Sequence, residues 1–276
     1  MMRRPWFRSS FKASFSGGFL LVLFTLAILA PWIAPYSPTE QNMTQILFPP
    51  SWEHILGTDD LGRDVLSRLI YGAPMSLYAS FLAVAVASVI GVPFGLIEGY
   101  FGGWTDEIIG RMVDSLLSFP GIVLAIGVTS AFGIGLINGM IAVGIVFSPR
   151  LARLARGQAI IVKSELYVDA ARGFGASSWR TIRRHILPNA IQPVIVEITL
   201  LLSAALLAEA SLSFLGLGVQ PPAPSWGGML ARSYGYMEIA PEQMYAPGMA
   251  ILLTALSFNA LGEALRFALD PTTRNQ

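Results

Sequence analysis

Ser164–Pro188, SELYVDAARGFGASSWRTIRRHILP, is a basic, helix-forming segment set between long uncharged runs. Runs of that length suit lipid or a large apolar core, so the segment between them faces water. It reads as two short helices joined by an elbow. Ser164 is the expected N-cap, with Glu165 in the first turn where a negative charge meets the positive end of the helix dipole. Leu166, Val168, Ala170 and Ala171 form a small apolar face beside Tyr167. Gly173 and Gly175 break the pattern where a left-handed residue can end a helix. Ser177 or Ser178 caps the next turn, which runs through Trp179, Ile182 and Ile186 to Pro188. So little side-chain bulk lets another protein approach the backbone, the shape of a plug for a groove. An amphipathic loop on anionic headgroups, held by Arg180, Arg183 and Arg184, is the other reading.

Of the 276 residues, 54% are hydrophobic and 13% charged. That is too few charges to cover a globular surface of this size, so the chain is an integral membrane protein. Without cysteine it has neither disulfides nor thiol catalysis. Its two histidines, His54 and His185, are far apart in sequence, which argues against a histidine-built metal site.

Residues 1–16 carry Arg3, Arg4, Arg8 and Lys12 without an acid, and 17–34 form an apolar run. A cleaved signal peptide shares this layout. The run is long enough to span, and Pro31, Trp32 and Pro35 suit an interfacial exit, which favours an uncleaved first transmembrane helix. Residues 35–72 form a polar, net acidic loop in which Thr58-Asp59-Asp60 is expected to cap a short amphipathic helix through Leu61, Val65, Leu66 and Leu69. A core of five helices follows over 73–270, and 271–276 is a tail. Spans are expected at about 69–97, 108–132, 136–154, 190–216 and 246–267. The third and fourth are separated by a hairpin at Gly133, Gly135, Asn138 and Gly139.

Six spans place both termini on one side. That side holds 15 of the 18 Lys and Arg residues, leaving only Arg63, Arg68 and Arg232 opposite. The positive-inside rule makes it cytoplasmic, and Ser164–Pro188 with it.

A P-loop needs a lysine after glycine. The lysines here follow Phe11 and Val162, so ATP is not bound that way, and no catalytic site is expected. Glu197 and Glu209 lie in the fifth span, about 18 Å apart along a helix, so they form no carboxylate pair. Charges at that depth serve a translocation path or proton relay, or lie near the interfaces. Glu197 fits the cytoplasmic interface near Arg183 and Arg184; for Glu209 both readings stand. Asp114 and Glu263 read as snorkelling or packing partners. Gly91, Gly95, Ser203, Ala204 and Ala205 suit close helix packing.

Asp169-Ala170-Ala171, three residues, Gly175, nine residues, then His185-Ile186-Leu187-Pro188 resembles the EAA loop of permease subunits of bacterial ATP-binding-cassette importers. Asp169 stands for the usual Glu, and His185 for a common Ile. Leu56–Leu77, the run FLGLGVQPPAPSWGGM at Phe214–Met229, and Asp270-Pro271 are similar to the second permease of dipeptide, oligopeptide and nickel importers.

The resemblance implies the all-α, six-span fold of a type I importer permease, with a cytoplasmic coupling helix between spans four and five. Leu166, Tyr167, Asp169, Ala170, Ala171, Arg172, Phe174 and Gly175 would engage a separate ATPase. ATP and Mg would be bound by two such partner subunits, and no cofactor by this chain. A homologous second permease would complete the pore in the inner membrane, surrounded by lipid and without nucleic acid. An extracytoplasmic binding protein would deliver short peptides or, alternatively, a nickel or other metal chelate. Ser203 and Glu209 are the candidate pathway residues. A proton-driven secondary transporter relaying through Glu209, and a scaffold or sensor without flux, are the rival classes.

Overall fold

Polar caps and glycines set several of the helix ends in this chain, while prolines fall both at breaks and inside the long helices. The computed structural model describes residues 5–269, with side chains from residue 13 onward. The described residues are helical, without a named strand: α1 (Pro5–Ile28), α2 (Ala30–Ile33), α3 (Val65–Phe101), α4 (Gly103–Leu117), α5 (Gly121–Phe132) and α6 (Leu136–Lys163). Then come α7 (Leu166–Gly173), α8 (Ser178–Thr181), a π-helical turn (Ile182–Ile186), α9 (Leu187–Phe214), α10 (Trp226–Tyr234) and α11 (Glu242–Leu269).

Four stretches are long and apolar enough to cross a membrane: α3, α6, the run Ser178–Phe214 and α11. The expected third span is not one straight helix. Helices α4 and α5 meet at 93°. Pro120 pushes the preceding residue out of helical conformation, and the charged residues Asp106, Glu107, Arg111 and Asp114 give α4 a polar face. The apolar part of α1, Ala13–Ile28, is shorter than these four. Tail residues 271–276 and Asp270-Pro271 lie outside the described residues.

Helices α3 and α6 make the most extensive pairing. Glycine permits it: a Cβ added to Gly91, Gly95 or Gly99 would fall 2.4, 2.1 or 2.6 Å from the carbonyl oxygens of Ser148, Ala152 and Arg156. Gly144 lies as closely against Ala83. The two backbones therefore touch, with fully buried Ala79, Ala83, Ala87, Ala142, Ala155 and Ala159 filling the seam. Pro149 frees the carbonyl of Ile145 within α6. The Ser148 hydroxyl donates to that carbonyl at 2.8 Å, so the helix continues.

The ends follow the same logic. Asp64, not the Thr58–Asp60 run, caps α3 and accepts from Ser67 N at 2.7 Å. Asp59 instead folds the preceding turn, accepting from Leu61 N at 2.9 Å and Arg63 N at 3.0 Å. Ser164 closes α6 by donating to Ile161 O, and Glu165 is the N-cap residue of α7. Ser177 caps α8. The expected hairpin sits at Gly133–Gly135, tied by Asn138 Nδ2 donating to Phe132 O and Gly133 O at 2.9 and 3.0 Å.

Candidate functional site

Segment 164–188 forms one end of the bundle. Val168 of α7 is fully buried in the cluster that holds Val162, Ile182, Ile186 and Tyr100. Val168 is the buried anchor of the helix, and the face opposite it is turned outward. Leu166 is 85% and Phe174 93% exposed, with Tyr167, Asp169, Ala170 and Trp179 exposed around them. Ala171 and Arg172 are half-buried. The sharp conformation belongs to Gly175, at φ +84°, whereas Gly173 ends α7 without a positive φ. Nothing crowds a Cβ at Gly175, so backbone conformation alone demands glycine there.

Tyr100, at the end of α3, clamps this segment. The Arg172 guanidinium lies 4.8 Å from its ring centre and Lys163 Nζ 5.7 Å. Nearby, Arg156 of α6 bonds Asp106 of α4 through Nε and Nη2 at 2.6 and 2.9 Å, and its Nε lies 3.1 Å from Glu98 of α3. Arg153 reaches Asp114 at 2.6 Å. Sequence reading missed Tyr100 and this cluster; Glu98 and Arg156 stand beside Gly99 and Ala155 of the seam, the one signal that could have joined them.

A groove runs along α9 between its neighbours. Toward the α7 end a cavity of about 410 Å3 is lined by Leu154, Pro193, Val196, Glu197, Leu200 and Arg266. Toward the other end a largely apolar cavity of about 340 Å3 is lined by Ala125, Val143, Phe147, Ala204, Leu207 and Ser211. Pro193, Glu197, Leu200, Ala204, Leu207 and Ser211 recur at spacings of three and four, so both cavities open onto one face of α9. Ser203 borders that face, its hydroxyl 3.1 Å from Asn259 Oδ1 of α11.

Glu197 pairs with Arg150, not with Arg183 or Arg184 as its expected interfacial place would have it. Glu209 is fully buried. Its carboxylate accepts from Ser213 at 2.8 Å and Ser76 at 3.4 Å. Beside it the N-terminus of α10 is wedged in: Trp226 N donates to Ser76 Oγ at 3.0 Å, and Trp226 Nε1 to Leu69 O at 3.0 Å. A Cβ on Gly227 would lie 2.6 Å from Ala210 Cα.

At the end of the bundle remote from α7, α3, α10 and α11 are joined by buried and half-buried charges. Asp59 Oδ2 meets Arg63 Nη2 at 2.7 Å and Arg68 Nε at 3.3 Å, and Arg232 meets Asp60 at 3.0 Å. His54 bridges Asp64 at 2.9 Å and Gln45 at 3.2 Å. Gln243 of α11 donates to Thr58 O at 2.6 Å.

The described residues form a helical bundle with four apolar helices long enough to cross a membrane, an exposed helix at one end and an open groove along α9, the architecture of an integral membrane protein. Residues 91–275 match the family described as binding-protein-dependent transport system inner membrane component, and residues 6–50 match the N-terminal transmembrane domain of oligopeptide transport permease C. The chain belongs to the binding-protein-dependent transport system inner membrane component family. It is 41% identical over 281 residues to the glutathione transport system permease protein GsiD of Pectobacterium atrosepticum, covering 99% of this chain and 93% of that one. Against the protein of the same name from Escherichia coli O6:K15:H31 it is 43% identical over 277 residues, covering 98% and 91%. In fold it is similar to the inward-facing MetNI methionine ABC transporter, with TM-score 0.57, 21% identity and 76% and 96% of the two chains covered. The crystal structure of an amino acid ABC transporter with histidines gives TM-score 0.53 at 18% identity, covering 76% and 95%. This is an ATP-binding-cassette importer permease of the inner membrane, without an ATPase site of its own.

Proposed function

We propose that this chain forms half of the pathway through which short peptides cross the inner membrane, driven by ATP hydrolysis on separate subunits. The observation that carries this is the pairing of α7, held by buried Val168 and by Arg172 on Tyr100 while presenting Leu166 and Phe174, with an open α6–α9 groove behind it. Leu166, Tyr167, Asp169, Ala170, Ala171, Arg172, Phe174 and Gly175 dock on a cytoplasmic ATPase. Two such subunits bind ATP and Mg. Their closure moves α7, and with it α6 and, through Tyr100, α3: a rigid-body switch between inward- and outward-facing states.

In this reading α1 and the α4–α5 pair complete six crossings, both termini are cytoplasmic, and a homologous second permease supplies the other half. The binding protein delivers substrate over residues 35–72 and the α10 end, and 73–270 form the permease core. Ser203 borders the pathway, while Glu209 serves its outer end by holding α10. The glutathione transport of the two relatives favours a peptide over a nickel chelate, since glutathione is a tripeptide.

Reconstitution with the ATPases and the binding protein tests this. ATP-dependent uptake of a labelled tripeptide is expected, and Gly175→Trp should insert normally yet lose peptide-stimulated ATP hydrolysis. Normal insertion with normal stimulation overturns the coupling role.

A further inference from the structure

One charged pair stands in the groove, at the inner cavity. Arg150 continues the α6 face formed by Val143, Val146, Phe147 and Leu154, all of which line one cavity or the other. Its partner Glu197 lies on the groove face of α9, in the lining of the inner cavity. We propose that the Arg150–Glu197 pair is a transient binding site for the charged termini of a zwitterionic peptide. Arg150 takes the peptide carboxylate and Glu197 the peptide ammonium as the substrate passes along the groove. This rests on the reading of the chain as a peptide-importer permease.

Depth is the first argument. Arg156 sits among Glu98 and Asp106 where α3 ends. Arg150 is six residues deeper, about 9 Å along the helix. A charge so placed is costly unless it faces water, a cavity or a partner group.

Exposure is the second. The pair is open on the Arg150 side, whose side chain is 59% exposed, while that of Glu197 is 16% exposed. A guanidinium carries five N–H donors in a fixed fork. Arg150 can therefore hold a second carboxylate beside that of Glu197, and the peptide ammonium can then replace Arg150 at Glu197. No net charge has to be buried at any stage.

Space is the third. The inner cavity, about 410 Å3, falls within the roughly 300–1,000 Å3 of ordinary ligand clefts. Its remaining lining mixes Leu154, Val196 and Leu200 with Gln192 and Arg266, which suits a peptide of unspecified side chains.

The chain has no cysteine of its own, so one can be introduced as a reporter. Leu200→Cys, on the inner cavity, is labelled from the cytoplasmic side with a methanethiosulfonate reagent in the nucleotide-free complex without binding protein. Trialanine should protect it. N-acetyl-trialanine amide, which lacks both charges, should need at least about tenfold higher concentration, as should trialanine after Arg150→Gln or Glu197→Gln. Arg150→Lys should retain most of the protection. Equal protection by the two peptides, or protection unchanged by both neutralising substitutions, overturns the proposal. The same result with tripeptide uptake intact leaves the importer reading standing. A wild-type complex that fails to take up any tripeptide defeats that reading instead.

Discussion

Replacing Gly95 by alanine adds one methyl group to the place where α3 and α6 are closest. The ideal Cβ would fall 2.1 Å from Ala152 O and 2.9 Å from both Ala152 C and Ala155 Cβ. Carbon and carbonyl oxygen rest at about 3.3 Å even in close backbone contacts, so the helices must part by about 1.2 Å here. Gly91 and Gly99 hold the same spacing one turn away on each side, and the pair cannot tilt to relieve it. Overpacking of this kind costs about 1–3 kcal/mol. For a chain of this size that is a fall in melting temperature of about 2–5 °C. The assay is thermal unfolding of the purified complex in detergent, with Gly127→Ala as control. Gly127 lies inside α5 with nothing near its Cβ position, so alanine there should be neutral or stabilising by about 1 kcal/mol. A Gly95→Ala complex as stable as the Gly127→Ala complex would refute the close approach. Transmission from α7 to the far end of α3 as one rigid body would fall with it.

Asp59→Asn should loosen the outer loop, because it leaves Arg63 and Arg68 buried without their shared carboxylate, a loss of about 3–5 kcal/mol. Limited proteolysis within residues 35–64 should accelerate and binding-protein stimulation of ATP hydrolysis should fall. Gly227→Ala should push α10 away from Ala210 and Ser213. Stimulation by the binding protein should drop, while co-purification of the ATPase subunits, whose docking is proposed at the opposite end, stays normal.

How far the sequence carries depends on whether a feature is local. The elbow at Gly175, the cap at Ser177 and the hairpin at Gly133–Gly135 depend on a few neighbouring residues, and each was readable. Glu165 displaced Ser164 as the cap of α7 because Ser164 bonds backward to Ile161. The break in the third span was legible too, in Pro120 and the charges of α4, but a hydrophobic count passes over it. Pairings across the bundle were out of reach. Tyr100 and Arg172 are 72 positions apart, and Arg150 meets Glu197 across 47. Only the packing of α6 on α9 reveals that these two charges neutralise each other. Glu209 illustrates the same point. Composition marks it as costly, while its three-serine surroundings come from α3, α9 and the start of α10.

The π-helical turn Ile182–Ile186 sets the phase of everything after it. It holds one more residue than an α-turn, and α9 leaves it with a fixed rotational setting. Excising one residue there would rotate the following 28-residue helix by about 100°. Its length and hydrophobicity would be nearly unchanged. Glu197 would swing off the groove and Glu209 away from its serines, so the timing of this one wide turn decides which side of α9 faces the groove.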